Sequence, residues 1–194
     1  MARPRATSDE ALLRAAGRAL GRLGPAGVTL ASVAGEAGVS PATLVQRFGS
    51  KRGLLLAVAG RAVPSTAEVF RTVRQEHDSP LQALHAALAE LASSVRTPQE
   101  MANSLAFLQL DLTDPDFREH AVAQARCMRE GVAGLLSDAV AAGELTPDAD
   151  TERLARSVQV TYNGVLITWA LSGEGSLTGV LREYIDDLLS AYRP

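Results

Sequence analysis

Between Val28 and Val58 lies a run of small, hydroxyl-bearing and basic side chains that suits contact with a polyanion better than catalysis. Ser40, Pro41, Ala42 and Thr43 stand together there. Side chains this small let a backbone approach a duplex closely. The N-terminus of a helix starting at Pro41 would meet phosphate with its amides and positive dipole end. Thr43 and Gln46 can reach base edges, and Arg47 can take either a base or a phosphate. Spacing alone is also that of an ordinary helical corner, which any all-α protein can contain. Charge tips the balance. Residues 1–61 hold nine Lys/Arg against three Asp/Glu, a net of +6, and the remainder holds ten against nineteen, a net of −9. A structural corner has no reason to gather cations, so a polyanion-binding head on an acidic body is expected.

The elements that must position these residues are helices. Thr7-Ser8-Asp9-Glu10 reads as a capping box with Thr7 as N-cap, and apolar residues from Leu12 to Leu23 recur at helical spacing until Gly24-Pro25 stops them. Thr29 can cap a second short helix ending at Ala37, and Gly38 supplies the turn. Ser40 caps a third, with Pro41 at its first position and Leu44 buried, up to Phe48 and Gly49. Ser50 caps a longer fourth helix starting at Lys51. Further helices are expected at about 80–95, 98–112, 115–142, 148–171 and 176–192. The expected fold is all-α, with a head over 1–58 and a larger helical body over 59–194.

Residues 8–58 resemble the DNA-binding domain of the TetR family of bacterial transcriptional regulators. The resemblance rests on Val28-Thr29, Val33-Ala34, Ala37-Gly38-Val39-Ser40, Thr43-Leu44, Phe48, Ser50-Lys51 and Leu54-Leu55. It implies a homodimer that places two recognition helices in successive major grooves of a pseudo-palindromic double-stranded DNA operator, their centres about 34 Å apart. It also implies a C-terminal domain that binds a small-molecule effector and then moves the heads out of register. By the family pattern Thr29 and Lys51 hold phosphates and residues 40–47 face the groove. Lys51 is the only lysine in the chain. One position departs. The family usually has Tyr after the Thr-Leu pair, where this chain has Val45, which can touch a thymine methyl but cannot donate a hydrogen bond. That anchor falls to Gln46 or Arg47.

The body carries no sharp motif. Asn103, Gln109, Tyr162 and Asn163, near Met101, Phe107, Met128 and Trp169, are polar or large residues on apolar helical stretches, and they suggest a pocket for a hydrophobic effector. Val165, Leu177, Leu181, Tyr184 and Leu188 belong to apolar stripes on the last two helices that are wide enough for a four-helix dimer interface. Asp116, His120 and Cys127 could share a helix face, but a metal would need more donors, and solvated surface is the expectation. No phosphate loop, nucleophile elbow or metalloprotease pair occurs, so neither an enzyme nor a cofactor is expected.

Composition agrees with this outline. Of 194 residues, 46% are hydrophobic and 21% charged, which fits a globular chain rather than a disordered one. One cysteine makes no internal disulfide, and no stretch approaches the roughly 20 apolar residues that span a bilayer, so a cytoplasmic setting is expected. The sequence thus points to a ligand-responsive repressor. A helical small-molecule-binding protein whose head no longer binds DNA is the alternative, and Val45 is its support.

Overall fold

A computed structural model of the chain describes residues 7–194, so Arg3 and Arg5 of the basic head lie outside the described residues. Ten helices follow in order: α1 (Asp9–Gly27), α2 (Leu30–Ala37), α3 (Pro41–Phe48), α4 (Lys51–Gly60), α5 (Ala62–Glu76), α6 (Pro80–Ala92), α7 (Pro98–Thr113), α8 (Pro115–Ala141), α9 (Thr151–Ser172) and α10 (Leu177–Ser190). No strand occurs among the described residues. The fold is all-α.

Local chemistry starts and stops each helix. Ser8, rather than Thr7, caps α1, accepting the Ala11 amide at 3.2 Å, and Glu10 pairs with Arg14 instead of reaching back. Gly24 interrupts the helix at φ 67° and ψ 169°, a conformation that a side chain rarely tolerates, and Pro25 opens one last turn. Thr29 and Ser32 form a reciprocal capping box at α2. Gly38, at φ 67° and ψ 31°, ends α2 in the left-handed region and sets the turn into α3. Ser40 caps α3 with Pro41 at its first position, and Ser50 caps α4. The expected fourth helix divides at Arg61 into α4 and α5. By length and composition alone the run Lys51–Glu76 could cross a membrane. However, it holds seven charged residues, and Leu54, Leu55, Phe70 and Val73 are buried in protein cores.

The chain divides into two compact units. The first joins the residues up to Ala62 to Ala102–Ala121; the second joins Val63–Met101 to Val122–Pro194. The first unit therefore takes in a stretch that lies beyond a boundary at residue 58. Its core gathers Leu12, Ala16, Val33, Leu44 and Leu54 around Phe117, which is 2% exposed. The first 61 residues hold a single aromatic, Phe48. Phe117, with Phe107 edge-on at 5.7 Å, supplies the bulk that their short aliphatic side chains cannot.

The second unit has its own core. Met128, Val132, Leu135, Leu136 and Ala139 form a stripe on α8, buried with Leu84 and Leu88 of α6 and Ile185 and Leu189 of α10. His85 Nε2 lies 3.2 Å from Asp186 Oδ1 there. Burial holds the His85 imidazole below its ordinary pKa, and the Asp186 carboxylate opposes that shift.

Candidate nucleic-acid interface

Helix α3 fully buries one side chain, Leu44, packs Phe48 partly against the same core and turns most of the rest outward. Ser40, Pro41, Ala42, Val45, Gln46 and Arg47 are exposed, and Thr43 is half-buried. Leu44 and Phe48, one turn apart, fix the rotation of the helix, so the residues predicted to face a groove emerge on one surface. Ser40 Oγ caps the Thr43 amide at 3.3 Å and lies 3.0 Å from Thr43 Oγ1. Pro41 has no N–H, so the Ala42 amide is the donor left at this end for a phosphate. Val45, 48% exposed, offers only methyl groups where the family has a phenol.

The cations around α3 are nearly all spoken for. Arg18 and Arg22 both bond Glu36, which holds its carboxyl down at about 2, the Arg22 bond being the larger cause. Arg14 and Arg61 meet Glu10. Arg52 bonds Asp114 at 2.8 Å and Asp116 at 2.9 Å, and its bond to Asp114 lowers the pKa of that carboxyl. Arg47, one of the two substitutes for the absent phenol, bonds Asp9 at 2.6 Å. Lys51 differs. Its Nζ donates to the Ala26 carbonyl at 3.0 Å, and among the described residues of the head it is the basic side chain without an ion pair. Exposed pairs of this kind are worth roughly 0–1 kcal/mol, so phosphate can displace them at small cost.

Folding also changes the charge that the sequence suggests. Residues 102–121 bring Asp111, Asp114, Asp116 and Glu119 into the first unit with only Arg118 to offset them. Its described residues then hold eight Lys/Arg and seven Asp/Glu. Binding must rest on where the cations stand rather than on a large net excess. Thr29 is exposed and accepts the Ser32 amide, which leaves its own O–H free to donate.

The predicted pocket residues do not converge on one cavity. Asn103 belongs to the first unit, where its Nδ2 donates to the Gly21 carbonyl at 2.7 Å. Phe107 packs on Phe117 in that unit, and Gln109 lines a groove there. Met101, Met128, Tyr162 and Trp169 are buried in the second unit, whereas Asn163 is exposed. Burial pushes the Tyr162 phenol well above its ordinary pKa. Of the eight, Trp169 alone lines the groove of about 540 Å³ along α9 and α10, beside Val165, Thr168 and Tyr184. Its Nε1 donates to the Gly175 carbonyl.

The interface residues need correction as well. Val165, Leu177 and Leu181 fill the second unit's own core at 3–6% exposed, which leaves them little surface for a partner. Leu188 packs partly against that core, and Tyr184 is exposed. The outward apolar stripe runs instead through Val160, Ile167 and Leu171 of α9 beside Tyr184 of α10. Its spacing of seven and then four residues is a helical one, but it is sparser than the buried stripe. The three possible metal ligands part company: Asp116 pairs with Arg52, the His120 ring lies near Gly60, and Cys127 points its thiol at the Val63 carbonyl. Asp9 and Ala26, the partners of Arg47 and Lys51, had no signal in spacing, since each pairing spans 25 or more residues.

Comparison with known proteins agrees with this geometry. Residues 12–58 match the family of bacterial regulatory proteins called the tetR family, and residues 80–191 match the C-terminal domain of BetI-type transcriptional repressors. The HTH-type transcriptional regulator BetI of Agrobacterium fabrum is 27% identical over 188 residues, covering 94% of this chain and 88% of that protein. Its counterpart in Rhizobium meliloti is 28% identical over 163 residues, 84% of this chain and 77% of that one. Among solved structures, a TetR transcription regulator from Haloarcula marismortui superposes with a TM-score of 0.77 at 20% identity, covering 95% of this chain and 97% of that one.

Proposed function

Taking as premise that this chain belongs to the tetR family of bacterial regulatory proteins, we propose that α3 enters the major groove while Lys51 holds a backbone phosphate. The chain is a ligand-responsive DNA-binding transcriptional regulator. The observation that carries the assignment of roles is the one cation without an ion pair among the described residues of the head, standing at the N-terminus of α4 just after the recognition helix. Thr43 and Gln46 would read base edges, and Ala42 and Val45 would lie against sugar or a thymine methyl. The Thr29 hydroxyl and the Ala42 amide would add phosphate contacts.

Selecting bound fragments from random duplex DNA, followed by anisotropy titrations at several salt concentrations, tests this. Lys51→Met should weaken binding to every duplex alike and flatten the salt slope by about one. A loss confined to one sequence would contradict the phosphate role.

Repression would follow from covering promoter DNA in the cytoplasm as a homodimer. The stripe formed by Val160, Ile167, Leu171 and Tyr184 suits the pairing of two copies, since Leu171 is 84% exposed and Val160 71%. Leu171→Glu should turn dimers into monomers in analytical ultracentrifugation. A hydrophobic effector would enter the second unit near Met128 and Tyr162, where flexible thioethers can make room. Thermal-shift screening should then favour apolar compounds over polar metabolites. The effector releases DNA only by the difference in its affinity for the two forms.

A further inference from the structure

We propose a second ligand site, in the head itself: the groove between the end of α1, the start of α4 and α7 takes an organic monoanion with an apolar body, such as a chain carboxylate, and its occupancy competes with DNA. The competition rests on the phosphate role of Lys51; the binding does not. The groove encloses about 490 Å³, within the range of small-molecule sites. Pro25, Leu55, Leu110 and Phe117 give it an apolar wall, with Leu55 and Phe117 buried.

Charge selects the occupant. Lys51 lines the groove, and its one bond goes to a neutral carbonyl, which leaves two N–H donors and an uncompensated charge. Arg52 and Asp114 line it too, but as an ion pair 2.8 Å apart, so the lining keeps a net of one positive charge. One free positive charge therefore faces an apolar wall. An organic cation is repelled, a dianion finds only half its partner, and a neutral molecule leaves the ammonium without an acceptor. A single carboxylate on a hydrocarbon body answers both features. Because carboxylate and DNA phosphate draw on the same ammonium, each weakens the other.

Decanoate titrated into the full chain without DNA, followed through the methyl NMR signals of Leu55 and Leu110, tests the site. Both signals should shift. Lys51→Met should weaken decanoate about tenfold, the worth of one charge-assisted hydrogen bond, and decanol should bind wild type no better than decanoate binds the variant. Ala106→Trp, which fills the groove from α7 while keeping the Lys51 charge, should abolish the shifts and leave DNA affinity alone. Unmoved signals, or equal decanoate affinity in wild type and Lys51→Met, overturn the site. If decanoate binds but leaves the affinity for random duplex DNA unchanged, the competition is wrong. If no duplex is bound at all, the phosphate role fails while the decanoate titration still decides the groove.

Discussion

The two units solve opposite problems with the same secondary structure. The first has a core of 12 buried hydrophobic residues, mostly Ala, Val and Leu, under a surface laced with ion pairs. Its helices are short, and Ser8, Thr29, Ser40 and Ser50 cap four in succession. The second buries 27 hydrophobic residues, including Met101, Met128, Tyr162 and Trp169, along helices of up to 27 residues. A rigid polyanion is recognised by groups held at fixed positions, and caps with a few small apolar contacts per helix hold them. A small molecule is recognised by a volume, and a large core with flexible side chains can provide one. Position is therefore the vulnerable quantity in the first unit and packing in the second.

The largest effect should come from α3. Leu44 is fully buried and is the only buried residue of α3, so Leu44→Ala should cost about 2–5 kcal/mol of stability. DNA affinity should fall further than unfolding alone explains, because α3 loses one of the two contacts that fix its rotation. Denaturant titration beside anisotropy separates the two. A variant that binds DNA normally once its folded fraction is allowed for would break the comparison.

Packing is the counterpart in the second unit. A Cβ on Gly131 would lie 2.3 Å from the Phe70 ring, so Gly131→Ala should destabilise by about 1–3 kcal/mol although alanine is the better helix former. DNA affinity at matched folded fraction should stay constant. A stabilised variant would mean that Phe70 has room to move.

A smaller effect tests the electrostatics. Asp9 holds Arg47, the cation available to replace the absent phenol beside Val45. Asp9→Asn should free it and raise the affinity for all duplexes up to about fivefold, the worth of one exposed pair. Reduced affinity would mean that Asp9 positions Arg47 for DNA rather than withholding it.

How much of this was legible depended on range. The caps, the Gly38 turn, the Gly24 stop and the burial of Leu44 are local, and one stretch of sequence specifies each of them. Lys51 stood out by position. What spacing could not reveal were long-range partners: Asp114 for Arg52, Ala26 for Lys51, and Phe117 as the plug of the head core. Asn103 and Phe107 looked like pocket residues because a polar group on an apolar helix reads the same whether it meets a ligand or another helix. Val165, Leu177 and Leu181 raise the converse ambiguity. A dense apolar stripe marks burial without saying whether the cover is the same chain or a partner.

The smallest effect concerns a group with no ion-pair partner. Burial pushes the Asp111 carboxyl up to about 6 from an ordinary 3.8, and the His120 charge only partly opposes this. A carboxyl whose pKa is raised by folding contributes most to stability below its unfolded pKa and loses that contribution as pH rises through its folded pKa. Acidification from pH 7 to 5 should therefore add stability through Asp111. Glu36 has the reverse sign: its contribution stands above 4.5 and vanishes as pH falls through about 2, so it is constant over the same interval. Asp111→Asn, neutral at every pH, should melt higher than wild type at pH 7.5, and the gap should narrow towards pH 5 and close only near the unfolded value of 3.8. Parallel melting curves for the two proteins between those limits would mean that the carboxylate is hydrated after all, and that the first unit tolerates negative charge there without cost.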